Sequence, residues 1–414
     1  MTNKATQSAK TQKTGIPAGW REVKLGDVAE EIIDNRGRNP SYYVENGVPV
    51  IDNFLITGER EVYLQNAKRF IDEEIFDNFI RKHIQHGDVL ITLVGNGYGN
   101  VAIAPKEKSV IIQNTIGLRT NNPITNTFLF YWLSVNKISV LNLDRGAVQP
   151  SVKVGDLKEL SILLPPLPEQ KAIAEALSSL DDKIDLLHRQ NKTLEDMAQA
   201  LFRKWFVDEA DEGWEEKSFV DFFDFIEGPG IRNWQYTESG TRFINIRLIQ
   251  NGEIEIEKAN FVSDQEANSK YKHFLLKEKD MIVSTSGTLG KTAIIRKYHL
   301  PLMLNTSVIR FRPKDGVNYS FVYQYLQSKQ FREDLENYGG GSVQKNFGPT
   351  HLRMMKFRLP PAKLLENFRR HTDDLYLKLD KNYSQIRTLE NLRDTLLPKL
   401  MSGEVRMKFN RQDI

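Results

Sequence analysis

Residues 164–187 read LPPLPEQKAIAEALSSLDDKIDLL, and this stretch decides the fold. Its paired prolines end whatever structure precedes them, because adjacent prolines disfavour both a helix and a central strand. Apolar residues then recur at spacings of four and three for more than four heptads, which is the pattern of a coiled coil. The pattern predicts a long helix from about Glu169 to Phe206. Its predicted seam includes Ile173, Leu177, Leu180, Ile184, Leu187, Asn191 and Leu194 and continues through Ala198 and Leu201 to Trp205.

A second stretch, closer to the C-terminus, carries a weaker version of this pattern and predicts a helix from about Leu364 to Met401. At ~1.5 Å per residue each helix would be about 55 Å long, more than a domain of about 150 residues is expected to bury alone. We therefore expect the two helices to pack against each other as an antiparallel coiled coil. The second seam runs from Phe368 to Leu400 and includes Leu375, Leu379, Asn382, Ile386 and Leu389.

The register of this helix pair can be predicted from the one asparagine in each seam. If Ile173 faces Leu400, the numbers of facing residues add up to 573, and Asn191 then faces Asn382. A buried asparagine pair fixes the register of a coiled coil at some cost in stability. We therefore predict that these two side chains meet.

The sequence contains an internal duplication that includes the helices, since Thr193-Leu194-Glu195 returns as Thr388-Leu389-Glu390. Gly19-Trp20 returns as Gly213-Trp214, and Leu164-Pro165-Pro166 returns as Leu359-Pro360-Pro361. Seven such correspondences occur in the same order at offsets of 191 to 195 residues, which indicates an ancestral duplication rather than chance. In each copy, β-branched runs end in glycine-containing turns, as expected of a domain with mixed secondary structure.

The predicted fold class is therefore mixed α/β, with two tandem pseudo-repeated globular domains separated by two long helices. The predicted segments are a disordered tail at 1–17, a first globular domain at 18–165, a central spacer helix at 166–210, a second globular domain at 211–361, a C-terminal spacer helix at 362–406 and a tail at 407–414.

Composition excludes several classes of protein. The 414 residues include no cysteine, which rules out a disulfide framework and cysteine-ligated zinc and fits a reducing cytoplasm. No apolar run approaches the ~20 residues that a membrane helix needs, so we expect no membrane partner. The net charge of +3 does not discriminate, since the 57 lysines and arginines could be gathered on one face of a DNA-binding protein or of an enzyme.

The chain resembles the specificity subunits of type I restriction–modification systems over essentially all of its length beyond the tail. The most specific features are the Pro-Pro-Leu-Pro-Glu-Gln that leads into the first helix and the Leu-Phe-Arg-Lys-Trp-Phe at 201–206 near its end. The second copy departs from this pattern, because Pro361 is followed by Ala362-Lys363-Leu364.

The resemblance implies that the two globular domains are target-recognition domains, each reading one half of a bipartite site in double-stranded DNA. The helices would act as a ruler between them and as docking surfaces for two methyltransferase subunits, which use S-adenosylmethionine to modify adenine. Nuclease and translocase subunits, which use ATP and Mg²⁺, would join that core. By this resemblance the chain is non-catalytic and binds no cofactor or metal itself.

Three loops in each copy combine turn residues with the side chains that contact bases and phosphates. The alternative for each loop is a solvated turn with a structural glycine or asparagine. The candidates in the first copy are Asn35, Arg36, Arg38, Asn39, Asn96, Tyr98, Asn100, Arg145, Gln149, Ser151 and Lys153. Those in the second copy are Arg232, Asn233, Ser286, Thr288, Lys291, Ser342, Gln344, Lys345 and Asn346.

Recurrence in both copies sorts these candidates into two roles. Residues that recur are predicted to contact phosphates or to support the scaffold, whereas residues that differ are predicted to discriminate between bases. The recurring residues are Arg38, Arg232, Gln149 and Gln344. The differing residues include Arg36, Tyr98, Lys291 and Lys345.

Two rival functions stay open. The first is a pseudo-symmetric scaffold that joins two protein partners without reading DNA. The second is a methyltransferase, because Asn39-Pro40-Ser41-Tyr42 resembles the Asn-Pro-Pro-Tyr catalytic motif of amino-methyltransferases and Gly95-Asn96-Gly97-Tyr98-Gly99 resembles a nucleotide-binding glycine loop. Against it, no acidic residue ends the next strand (Val110 to Asn114) to hold a ribose, and the second copy reads Asn233-Trp234-Gln235-Tyr236. Gly290-Lys291-Thr292 lacks the first glycine of a phosphate-binding loop, and His83 with His86 has no counterpart in the second copy. We find no catalytic constellation.

Overall fold

The computed structural model of the chain describes residues 15–95, 97–144, 151–250, 252–314, 317–338 and 347–407. These residues form two compact units. The first unit runs to Asp185 and resumes at Thr388, and the second comprises Leu186–Arg387. The boundary cuts both long helices near their middle, whereas the segments predicted from the sequence keep each helix whole.

The first unit contains a four-stranded antiparallel sheet in the order β2-β8-β5-β6 and a three-stranded sheet in the order β4-β3-β7, where β3 and β7 are parallel. A further antiparallel pair, β1 with β9, joins the beginning and the end of the domain. The elements are β1 (Arg21–Lys24), α1 (Leu25–Val28), β2 (Ala29–Ile33), β3 (Val48–Ile51), β4 (Phe70–Ile71), β5 (Val89–Thr92), β6 (Val101–Ile103), β7 (Val110–Ile111), β8 (Thr115–Thr120), α2 (Pro123–Val135), α3 (Lys137–Leu141), α4 (Val154–Lys158), β9 (Ser161–Leu164) and α5 (Leu167–Arg203).

The second unit repeats this plan, with sheets in the orders β11-β20-β17-β18 and β12-β16-β13-β19 and a closing pair of β10 with β21. Its elements are β10 (Glu215–Ser218), α6 (Phe219–Phe222), β11 (Phe223–Glu227), β12 (Tyr236–Thr237), β13 (Thr241–Ile244), β14 (Ile249–Gln250), β15 (Glu253–Ile254), β16 (Asn260–Val262), α7 (Asp264–Asn268), β17 (Met281–Ser284), β18 (Thr292–Ile294), β19 (Leu302–Leu304), β20 (Val308–Pro313), α8 (Tyr319–Gln327), α9 (Lys329–Tyr338), α10 (Pro349–Met354), β21 (Lys356–Leu359) and α11 (Ala362–Ser402).

The same buried ion pair braces the long sheet in each unit. In the first unit, Arg119 on β8 donates to both carboxylate oxygens of Asp88, at 2.9 and 2.7 Å. In the second, Arg312 on β20 donates to both oxygens of Asp280, at 2.6 and 2.5 Å. Both aspartates are almost fully buried, so these bidentate contacts satisfy charges that water cannot reach.

The two long helices were predicted to within a few residues. The first, α5, spans 37 residues and continues as a π-helical turn at Lys204–Asp208, and the second, α11, spans 41 residues. Both begin two residues before the predicted start. The extra residues are those that directly follow the paired prolines, and Leu167 and Ala362 already adopt helical backbone.

Within each unit the two helices run antiparallel. In the first unit Ile173 of α5 is buried in one core with Leu400 of α11, and Arg393 donates to Asp181 at 3.0 Å. In the second unit Asn382 Nδ2 donates to Asn191 Oδ1 at 2.8 Å, with both side chains buried. The antiparallel direction and the predicted register of the asparagine pair are therefore confirmed.

The seam residues predicted from the heptad pattern all lie at least partly inside the protein. The buried members include Ile173, Leu177, Ile184, Leu187, Asn191, Leu379, Asn382 and Ile386. The partly buried members include Leu180, Leu194, Leu375 and Leu389. Among the described residues, no helix has the length and apolar character needed to cross a membrane.

Candidate nucleic-acid interface

In the loop after β2, one of the residues predicted to bind DNA is buried and supports the fold, and the others reach the surface. Asn35 is fully buried, and its amide group donates to the carbonyl oxygens of Lys82 (2.8 Å) and Ile111 (3.1 Å) and accepts from the Lys82 amide (3.1 Å). Its side chain therefore joins three backbone segments and is not available to a ligand. The candidate role of Asn35 in DNA binding does not fit this geometry, because every polar atom of its side chain already has a partner inside the domain.

The arginines of this loop are partly exposed. Arg36 donates to both carboxylate oxygens of Asp34, at 2.9 and 2.7 Å. Burial alone would raise the pKa of Asp34, but the hydrogen bonds and charge of Arg36 outweigh it and hold that pKa below its usual value. The Arg38 guanidinium lies 5.5 Å from the centroid of the Phe79 ring, and Asn39 is exposed. Arg36, Arg38 and Asn39 thus present donors at the surface.

In the glycine-containing turn between β5 and β6, residues that were predicted to bind DNA instead bind other parts of the domain. Asn100 Nδ2 donates to the Ile56 carbonyl oxygen at 2.8 Å, and Asn100 Oδ1 accepts from Lys137 Nζ at 2.5 Å. Tyr98 is partly buried against the core. The amide of Asn100 is thus occupied in the scaffold.

The equivalent turn in the second unit, between β17 and β18, places Lys291 where the first has Asn100. The strand register establishes this equivalence, since Thr92 N donates to Asn100 O and Ser284 N donates to Lys291 O. Lys291 Nζ donates to the Ile249 carbonyl oxygen at 3.0 Å and lies 3.3 Å from Gln250 Oε1. In the same turn Thr288 is exposed and Ser286 is partly buried.

The loop after β11 is anchored from below by Gln235. This buried side chain accepts from the Arg232 amide at 3.1 Å and donates to the Tyr271 hydroxyl at 2.9 Å. Arg232 and Asn233 are both exposed above it. The loop therefore offers a cation and an amide to solvent from a fixed backbone.

The third loop of each domain is described only in part. Ser151 is partly buried and pairs through its backbone with Val94, and Lys153 is exposed immediately before α4. The remaining candidates lie outside the described residues, and they are Asn96, Arg145, Gln149, Ser342, Gln344, Lys345 and Asn346.

Sequence reasoning missed one prominent surface residue, Trp234, of whose surface 80% is exposed. The signal that could have found it is a tryptophan between polar residues that follow a glycine-rich turn.

The residues that suggested catalysis or metal binding serve local contacts. Pro40 of the methyltransferase-like motif is buried, and the Tyr42 hydroxyl donates to Asp72 at 2.7 Å. The His83 ring packs on Phe76 with centroids 4.3 Å apart, and His86 Nδ1 lies 3.2 Å from the Ala104 carbonyl oxygen. Across the described ranges, no three histidine or acidic side chains gather where they could hold a metal ion.

Comparison with known proteins assigns the repeated domain. The family model described as "Type I restriction modification DNA specificity domain" matches twice, at residues 17–196 and 211–366. The MjaIX specificity subunit of Methanocaldococcus jannaschii is 25% identical over 97% of each chain. The HindI specificity subunit of Haemophilus influenzae is 22% identical over 93% of this chain and 99% of its own. The crystal structure of a type I restriction–modification S subunit from M. genitalium has a TM-score of 0.58 at 18% identity and covers 94% of this chain and 98% of its own.

Proposed function

Because this chain belongs to the family of type I restriction–modification specificity subunits, we propose that it reads a two-part DNA sequence and directs partner subunits to it. Members of this family are non-catalytic, and so is this chain, since catalysis resides in the partner subunits. The observation that carries the proposal is the duplicated domain, in which equivalent turns of the two copies present different side chains. We call the two globular domains the first and second recognition domains.

The proposed DNA contacts are the candidates that the fold leaves at the surface. In the first recognition domain these are Arg36, Arg38, Asn39 and Lys153, and in the second they are Arg232, Asn233 and Thr288. We assign Arg38 and Arg232 to phosphate contacts, because both copies carry them in the same loop. We assign Asn100 and Lys291 to the scaffold, because both donate to a buried backbone carbonyl.

The proposed partners are double-stranded DNA, two methyltransferase subunits that use S-adenosylmethionine, and nuclease subunits that use ATP and Mg²⁺. This chain would hold none of these cofactors, and the complex would act in the cytoplasm. We further propose that α5 and α11 set the length of the unread gap. One added helical turn is ~5.4 Å and a base pair ~3.4 Å, so an inserted turn should lengthen the gap by one or two base pairs.

The test is a methylome. The chain is co-expressed with the methyltransferase subunit encoded beside it, and host DNA is sequenced for modified adenine. We expect a split motif, with two short half-sites around a gap of fixed length. If the two proteins form a folded complex and no methylation rises above background, the chain is a protein scaffold and the DNA-reading proposal is wrong.

A further inference from the structure

Trp234 stands alone among the five tryptophans of the chain in its exposure. Trp20 and Trp132 are buried, and Trp205 and Trp214 are partly buried. Within the described residues, no ring, cation or hydrogen-bond acceptor pairs with the Trp234 indole. Tryptophan is enriched at interfaces, where its ring is covered by a partner, so this exposed indole is a candidate for contact with a ligand.

The backbone beneath Trp234 is held on both sides. Before it, the Ile231 amide donates to Asn305 Oδ1 at 3.1 Å, and Ile231 is buried. After it, Gln235 is buried and bonded to Arg232 and to Tyr271. The indole is therefore presented by a turn that is already fixed, which lowers the entropy lost when a ligand binds.

Exposed cations lie on the two segments that meet at Gln235, the residue after Trp234. Arg232 is exposed two residues before it, and Lys270 and Lys272 are exposed on either side of Tyr271, whose hydroxyl is bonded to Gln235. The carboxylates nearby are Glu266, 3.2 Å from Gln235 Nε2, and the exposed Glu238 further along the chain. Tyr236, two residues further on, is also an exposed aromatic residue, and exposed aromatic rings beside cations are typical of a site for nucleic acid.

The first recognition domain has no counterpart of this ring. The residue at the same place in its loop is Pro40, which is buried, while the flanking Asn39 and Asn233 are exposed in both copies. A ring found in one domain alone can contribute to only one half-site.

We propose that the Trp234 indole inserts at a base step of the half-site read by the second recognition domain and stacks on a base there. The cations Arg232, Lys270 and Lys272 hold the phosphates on either side of that step. Apolar side chains that enter a duplex in this way partly unstack one base step, and stacking on a base is sequence-tolerant but sensitive to how easily that step opens. This inference rests on the proposed function.

The experiment uses the complex of this chain with the methyltransferase subunit, and DNA duplexes that contain the motif identified by the methylome. Adenines of each half-site other than the methylated ones, which the methyltransferase itself flips out, are replaced in turn by 2-aminopurine, whose fluorescence rises when its base is unstacked. We expect the wild-type complex to raise the fluorescence at one step of the second half-site, and Trp234→Ala to abolish that rise. Stacking energies predict that Trp234→Ala weakens binding by about 5- to 150-fold, and Trp234→Phe by less than about threefold.

Two controls separate this inference from the proposed function. Met354→Ala removes another exposed apolar side chain of the same unit and should leave binding unchanged. Scrambling the second half-site should abolish the difference between wild type and Trp234→Ala, and scrambling the first should leave it. If the wild-type complex methylates no motif, the proposed function itself fails.

Three results would overturn the inference alone. Trp234→Ala could bind the motif as tightly as wild type. It could lose affinity while the 2-aminopurine fluorescence stays as in wild type, which excludes stacking. It could fail to assemble with the methyltransferase subunit while retaining wild-type circular dichroism, which would make Trp234 a protein contact.

Discussion

At the hairpin that follows the central strand of each recognition domain, Asn100 in the first and Lys291 in the second occupy the same position. Both donate to the carbonyl oxygen of an isoleucine, Ile56 or Ile249, and so close the same gap in the fold. In the loop after β2 and β11 the opposite holds, since a buried Pro40 in one domain corresponds to an exposed Trp234 in the other. A difference between the two copies at one position is therefore not enough to show that the residue there reads a base.

The largest effect is expected where the two domains are alike, at the Arg119–Asp88 and Arg312–Asp280 pairs. Asp280→Ala should lower the free energy of unfolding by about 3 kcal/mol, because it leaves Arg312 without its buried partner. Asp88→Ala should cost somewhat less, because Arg119 keeps its contact with Glu31 at 2.6 Å. Urea denaturation of the full chain, with hydrogen exchange to follow each domain, measures this. Lys329→Ala, which breaks the exposed pair with Glu333, should cost less than about 0.5 kcal/mol. Markedly unequal losses at the two aspartates would mean that the shared framework is not equally important in both copies.

The next-largest effect, a loss of stability in acid, is expected only in the second domain, where His299 lies. Burial lowers the pKa of this fully buried histidine to about 3, and the charge of nearby Arg296 adds to the shift. The charge of Glu257 raises this pKa but is outweighed, and Glu253 lies 3.6 Å from His299 Nε2 without a hydrogen bond to it. His299 lies between β18 and β19, and the corresponding segment of the first domain, residues 104–109 between β6 and β7, contains no histidine.

The sign of the pH dependence follows from that lowered pKa. The unfolded chain takes up a proton below about pH 6.5 and the folded chain does not, so stability is complete above pH 6.5 and falls as the pH drops towards 3. At pH 5 we expect a loss of roughly 2 kcal/mol from the second domain. His299→Asn, which keeps an acceptor for the Arg296 amide, should remove this loss. Equal acid sensitivity of the two domains by hydrogen exchange would argue against His299 as the cause.

A third effect concerns DNA and tests whether Arg38 and Arg232 serve the same purpose. Arg38→Ala and Arg232→Ala should each weaken binding by about 1–2 kcal/mol for every sequence alike and reduce the salt dependence by about one phosphate contact. Fluorescence anisotropy at several salt concentrations, on the motif and on unrelated duplexes, measures both quantities. Arg36→Ala is the matched comparison, because it should relax one base position of the methylated motif. A change of motif with Arg38→Ala would reverse this division of roles.

The smallest effect is expected at the hairpin. Asn100→Leu and Lys291→Met each remove one donor to a backbone carbonyl and should cost about 1 kcal/mol of stability. The methylated motif should stay the same in both variants, as sequencing of host DNA would reveal. A new base preference in Lys291→Met alone would restore Lys291 as a base-reading residue and would break its equivalence with Asn100.

The periodic parts of this fold could be predicted from the sequence because their signals are local or repeated. Heptad spacing predicted both helices, and one asparagine in each seam was enough to predict that Asn191 meets Asn382. The site was harder, because exposure depends on contacts between distant segments. The sequence around Asn35 carries no signal that Lys82 and Ile111 bind its amide group. The sequence around Trp234 likewise carries no signal that the contacts of Gln235 and Asn305 leave its indole in solvent.

The strand pairs that close each recognition domain have a consequence for how such a protein can evolve. Arg21 pairs with Leu164, and Glu215 with Leu359, so each domain begins and ends on neighbouring strands directly before its long helix. Genetic recombination within those two strands would exchange everything between them and leave the helices, and whatever binds them, untouched. One such exchange could then replace one half of the target sequence without any change in the helices or in the subunits that bind them.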